Sequence, residues 1–389
     1  MPVEPNADGI IVHMNSLHLT SRALICLWLV CQIQAVAAAR ITDLYSARVP
    51  AAENSQRSQS ETFDIALEQV LVKVTGQRGI MVDPVVMNRF TAAESYVQQH
   101  RMNPDGSTWV QFDQVALRRS LDSVGQPVWG EERPVTLAWM VLDYGSGTRD
   151  ILAAESDVER ERGLFEVQQQ TGNGDPERQA AVREMLTTTS AERALPLVLP
   201  LVDSEELDIV SIADVWGGFT ESLVLASQRY GVDAILVGRV RVSFIETAQV
   251  RWILMLGDER FEWEGDIASG PDRLADFFAA RFATSGSAMG RMQLRVDGVG
   301  TLEDYGRLNR YMSSLDVIED YSVDRVADRT VILSLLVRGD ADRLMRSIAL
   351  RRILQPVDSS EGVMLPAEPS LDPFGGAPSN LHYALIAGP

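Results

Sequence analysis

At 389 residues the chain is too long for one hydrophobic core, so two or three domains are expected. Its apolar content of 46% is ordinary for a globular protein, while a net charge of −19 excludes nucleic acid and anionic lipid as partners, since both require clustered cations. Lys73 is the single lysine beside 34 arginines, a skew of genomic composition rather than a mechanism, and no run of five like charges marks a binding tail.

Residues 1–39 read as a signal peptide. Arg22 precedes an apolar run from Ala23 to Ile33, and small residues at 35–39 suit a signal peptidase. Met14, followed by His18 and Arg22, gives a more ordinary start than Met1. The run is about 11 residues, short of the roughly 20 a helix needs to span a bilayer, so no transmembrane anchor is expected in the mature chain. Val30 and Ile25 stand before Cys31 and Cys26, where lipid attachment wants a small residue. Cleavage at Ala37 or Ala39 leaves a cysteine-free protein, expected in the periplasm and stabilised by packing without disulfides.

An α+β organisation in several small mixed-sheet modules is expected. Over 40–145, Leu44–Val49 alternates as a strand. Asn54 or Ser55 then caps a helix carrying Phe63, Ala66, Leu67, Val70, Leu71 and Val74, which Gly76 stops. A strand at Thr108–Phe112, a helix to Gly125 and a continuously apolar, buried strand at Pro134–Leu142 complete this module. Residues 146–193 read as a helical connector with a break at Gly172–Pro176.

A central α/β module is expected over 194–286. It contains a strand-like run at Leu195–Val202, one helix over Ser211–Arg229, a buried strand at Val232–Val242, a hairpin turning at Gly257–Asp258 and a closing helix at Leu274–Phe282. Residues 290–355 read strand, helix, strand, strand, helix, the βαββα order of a ferredoxin-like module. From 356 to 389 Pro, Gly, Ser and Asp dominate, and a disordered tail is expected.

Tyr45–Pro50, Ala66–Gly76, Tyr96–Gln99, Val128–Pro134, Leu199–Asp203, Asp214–Trp216 and Ala226–Arg239 together resemble an exported proteobacterial family, domain of unknown function 2066. That resemblance implies export but no activity. The central module, with its Leu-Pro strand, helix and Tyr230–Gly238, also looks like docking modules of periplasmic and outer-membrane assembly proteins. These include the amino-terminal domain of the Tol-system propeller protein, curli secretion lipoproteins and flagellar outer-membrane accessory proteins.

Catalytic sets are thin. The mature chain keeps only His100 and His382, too few for a histidine triad or zinc site, and neither a metal nor a cofactor is expected. No Gly-x-Ser-x-Gly elbow occurs, and Gly145-Ser-Gly147 lacks the third glycine of a phosphate loop and reads as a turn. Asp203, Glu205, Glu206 and Asp208 could bind a divalent cation or cleave a glycoside, but equally start a helix, where acids suit the dipole. Asn173, Asp175 and Glu177 around Gly174 suggest calcium more faintly.

Trp129 and Arg133 are the candidate binding residues, because tryptophan and arginine dominate interface energetics; the alternative is that Trp129 caps the core and Arg133 pairs with an acid. The expectation is a periplasmic, non-catalytic binding or scaffold protein with an envelope protein partner, in cell-envelope assembly. The alternatives are a carboxylate-dependent cell-wall hydrolase and a small-ligand-binding periplasmic protein.

Overall fold

The computed structural model describes residues 41, 43–52, 57–145, 147–154, 175–241, 248–286, 289–350, 353–357 and 379–386. The signal segment with Cys26 and Cys31 lies outside them, as do Asn54 and Ser55. The fold is α+β.

In the first module β1 (Ser46–Val49) leads to α1 (Gln59–Thr75). Ser58 starts that helix: its hydroxyl accepts from the Glu61 N–H while the Glu61 carboxylate accepts from the Ser58 N–H. Gly76 ends it at φ 69°, a left-handed cap that glycine adopts without strain. α2 (Pro84–Arg89), β2 (Val97–Met102), β3 (Thr108–Phe112) and α3 (Gln114–Ser123) follow. The sheet runs β1-β3-β2, antiparallel throughout, and α1 lays Phe63, Leu67, Val70 and Leu71 against Val110, Phe112, Leu117 and Leu121.

The buried strand at 134–142 is present as β4 (Thr136–Gly145), but it does not belong to this first sheet. It pairs parallel with β7 (Ala234–Arg241) in a second sheet, so the first module ends before Thr136 rather than at 145. Both faces of β4 are covered, which is why its sequence is apolar throughout and carries no alternation to show its neighbours. Glycines 145 and 147, at φ 86° and 84°, turn the chain back into β5 (Thr148–Ile151), a strand where connector was expected.

The rest of the second module comprises α4 (Pro176–Glu192), β6 (Leu197–Val198), α5 (Ser204–Leu207), α6 (Ile212–Gly217), α7 (Thr220–Ser227), β8 (Val250–Leu256), β9 (Glu259–Gly265) and α8 (Ser269–Phe282). The sheet order is β5-β4-β7-β8-β9, with β6 beside the start of β4. Met140, Leu142, Leu236 and Trp252 face Val182 and Leu186 of α4 and Leu274 and Phe278 of α8. On the other side Leu137, Trp139, Val237 and Ile253 face Val215 of α6 and Leu223 and Ala226 of α7. The single helix expected over 211–229 is two helices. Gly218 takes φ 68°, and a Cβ there would lie 2.3 Å from the Arg239 guanidinium, so the chain breaks and restarts at Thr220.

The third module follows the βαββα order: β10 (Met289–Asp297), α9 (Leu302–Ser314), β11 (Ile318–Ala327), β12 (Thr330–Arg338), α10 (Ala341–Ala349), then β13 (Leu354–Pro356). The tail departs from the expected disorder. Residues Ser379–Leu385 form β14, parallel to β10 and lodged between β10 and β13 in the order β11-β12-β10-β14-β13. Leu381, Tyr383 and Leu385 alternate toward the core, a short period-2 signal surrounded by Pro and Gly.

Candidate functional site

Trp129 and Arg133 do not form a surface: they are 1% and 0% exposed, at the junction of the modules. All five N–H groups of Arg133 donate to backbone carbonyls: Nε to Gly130 (3.0 Å), one terminal nitrogen to Arg193 (2.9 Å) and Ala194 (3.1 Å), the other to Lys73 (2.5 Å) and Trp129 (3.0 Å). Its guanidinium also stacks 3.9 Å from the Trp129 ring. Burial pulls its pKa down to about 9, so it stays charged at neutral pH. The expected acid is replaced by carbonyl dipoles from α1, from the linker and from the end of α4.

Arg193, equally buried, donates to Asp272 (2.8 Å), Asp276 (2.5 Å) and the Gly76 carbonyl (2.8 Å). At Gly76 itself a Cβ would stand 2.4 Å from that of Ala279, so α8 packs directly on the end of α1. The third module is tied to the first by α3, where Arg118 and Asp122 sit one turn apart and meet Asp316 (3.0 Å) and Arg338 (3.0 Å). A cavity of about 20 Å³ beside Trp129, Thr284 and Asp316 has room for one water.

The acidic cluster is occupied by the fold. Asp203 caps α5 by accepting from the Glu206 N–H (3.0 Å), which holds its carboxyl below the usual range, and it accepts from Arg229 through both oxygens at 3.0 Å. Glu206 is buried and accepts from the Val202 N–H (2.6 Å) and from the Tyr230 hydroxyl. Burial first and the Glu206 carboxylate second push the Tyr230 phenol well up. Val202 sits at φ 55°, costly for a β-branched residue, and Glu206 is what fixes that turn.

Asp175 caps α4; Asn173 and Gly174 lie outside the described residues. Among the described residues no group of three or more His, Cys, Asp or Glu is placed to hold a metal. His100 is exposed, against Phe63 and within 3.1 Å of the Gln59 amide. His382, on β14, lies 2.7 Å from Asp297 at the end of β10.

The feature sequence reasoning missed is an exposed apolar face on α7. The Trp139 indole N–H donates to Ser227 Oγ (3.0 Å), and Ser227 Oγ donates to the Leu223 carbonyl, which anchors the inward side of the helix. The outward side therefore carries Val224 and Leu225, 44% and 54% exposed, with Phe219 at 61% on the preceding cap. Thr220, Glu221, Val224, Leu225 and Gln228 line one shallow open depression along it. Leu201, Leu207 at the end of α5 and Ile212 at the start of α6 are exposed as well. In the single helix expected over 211–229, Phe219 would share a face with Leu223 and Ala226; the Gly217-Gly218 break places it on the cap instead, where it is exposed. The three consecutive apolar residues Leu223-Val224-Leu225 were the available signal, since a helix lying on a sheet buries only one side of such a run. A smaller exposed group, Val82, Val85 and Met87, lies at α2.

The molecule is thus an α+β protein of three clamped modules with an exposed helical face on the central one. A family model described as a domain of unknown function (DUF8605) matches residues 38–130, the first module and the start of the linker. It is a different family from domain of unknown function 2066, so the resemblance holds only as far as an uncharacterised family. No curated protein and no solved structure is significantly similar to the chain. Among the described residues no helix is long and apolar enough to cross a membrane.

Proposed function

We propose that this chain is a non-catalytic binding or scaffold protein of the cell envelope, exported to the periplasm, which holds a protein partner on the α7 face. The observation that carries this reading is the outward apolar surface of Phe219, Val224 and Leu225 on a helix whose other side is anchored in the core. Exposed apolar surface of this kind is costly in water, and contiguous patches mark interaction sites. The arginine clamps at Arg133 and Arg193 support a scaffold role, because a body with little internal freedom loses little entropy on binding. The apolar run at 23–33, followed by small residues at 35–39, supports the periplasmic placement.

The test is the double variant Val224→Ser/Leu225→Ser. Wild-type protein in native envelope extract is expected to elute from a sizing column in a complex, and the variant as the free chain with unchanged thermal stability. Identical elution of the two proteins would overturn the proposal.

A further inference from the structure

We infer that the occupant of the α7 face is a cationic amphipathic polypeptide segment, an inference that rests on the docking role proposed above and adds the chemistry of the partner. Two observations converge on it. The first is shape: the depression runs along one stripe of α7, Thr220, Glu221, Val224, Leu225 and Gln228, which is the i, i+1, i+4, i+5, i+8 pattern of a single helix side. An eight-residue helix is about 12 Å long, so a short segment with two or three apolar side chains covers it.

The second observation is charge. Between Leu195 and Asp233 the chain carries Asp203, Glu205, Glu206, Asp208, Asp214, Glu221 and Asp233, and Arg229 is its lone base. Arg229 is already committed to Asp203 at 3.0 Å, with Glu206 at 3.5 Å and Glu205 at 3.6 Å. Glu221, which borders Val224 and Leu225, has no ion-pair partner among the described residues. An apolar stripe edged by the Glu221 carboxylate, on a segment with seven acids and one base, attracts cations and repels anions over roughly a Debye length of 8 Å.

That charge disfavours a second copy of this chain docking through the same face, which would bring two acidic stripes together. It also disfavours an anionic membrane surface. An Arg- or Lys-bearing segment with apolar side chains on one side satisfies both features: its side chains cover Val224 and Leu225, and its cations meet Glu221.

The test uses three fluorescent helical peptides sharing one Leu stripe and differing only in polar positions, which are Lys/Arg, Glu or Gln. Binding to the full chain is measured by anisotropy, with hydrogen exchange reading the footprint. The cationic peptide is expected to bind best and to protect α7, with its affinity falling at least about tenfold in Val224→Ser/Leu225→Ser and about threefold or more in high salt. The charge-reversed chain Glu221→Lys is expected to lose the preference for the cationic peptide over the Glu peptide.

If the Gln or Glu peptide binds wild type as tightly and still depends on Val224 and Leu225, the partner chemistry is wrong while the docking face stands. If the cationic peptide binds the Ser/Ser variant undiminished, its attachment is diffuse attraction to an acidic protein, and both readings fall. Failure of all three peptides to protect α7 also overturns the inference.

Discussion

Replacing Arg133 by methionine keeps most of the side-chain volume and removes the donors that join two modules. Each lost bond is charge-assisted, worth about 1.5–3 kcal/mol in isolation, and the five carbonyls of Lys73, Trp129, Gly130, Arg193 and Ala194 lose a shared donor at once. The sum overstates the effect, because bonds sharing one guanidinium are coupled and the wild-type side chain carries its own desolvation cost. The expected loss is about 3–5 kcal/mol, because several buried carbonyls are left without a donor at about 1–3 kcal/mol each and the effects overlap.

Urea unfolding followed by tryptophan emission reads this directly, since Trp129 stacks on the guanidinium. Lys73 belongs to the first module, and Arg193 and Ala194 to the second, so the variant is also expected to split one transition into two. Arg133→Lys, with three donors and no planar fork, should recover only part of the loss. A loss below about 1 kcal/mol in Arg133→Met, with a single transition retained, would refute the clamp.

Gly76→Ala should cost about 2–4 kcal/mol, combining left-handed backbone with the 2.4 Å approach to Ala279, and thermal unfolding checks it. Ending the chain after Val357 removes β14, so β13 loses its strand neighbour and β10 one of its two; hydrogen exchange should show β10 amides losing protection while β4 amides keep theirs. At Asp297 partial burial raises the pKa, but the His382, Thr330 and Arg295 hydrogen bonds outweigh it and hold the carboxyl down at about 2. Because the folded value lies below the ordinary aspartate value near 4, its stabilisation is complete above about pH 4 and lost as pH falls toward 2. Acid unfolding of Asp297→Asn should therefore lack that component, seen as a shallower loss of stability across this window.

Local chemistry carried much of the fold in the sequence. Gly76 as a helix stop, the 257–258 hairpin turn and the βαββα order over 290–355 rest on short-range rules and are where expected. What escaped was non-local. Nothing in Thr136–Leu142 states that its neighbour is Ala234 rather than Thr108, because a strand buried on both faces has no pattern naming a partner. β14 was hidden because seven ordered residues follow a Pro- and Gly-rich stretch, and composition averages away a short alternation. β2 was hidden because its largely exposed residues show no apolar period.

The site was legible only in part. Trp129 and Arg133 were expected as a binding surface and are buried instead, because the same side-chain properties serve an internal interface as well as an external one. The exposed face of α7 depended on one backbone event, the left-handed turn at Gly218, which divides a regular apolar period into an inward and an outward part.

The central claim is that the α7 face meets a partner polypeptide in the envelope. Photo-cross-linking in the intact cell tests it most directly, with the reactive side chain placed at Leu225 and, as a control, at the exposed Val323 on the edge strand β11. The account predicts a discrete protein adduct from position 225, none from 323, and its loss when Val224→Ser and Glu221→Lys are added. Equal adducts at both positions, or none at 225, would contradict it.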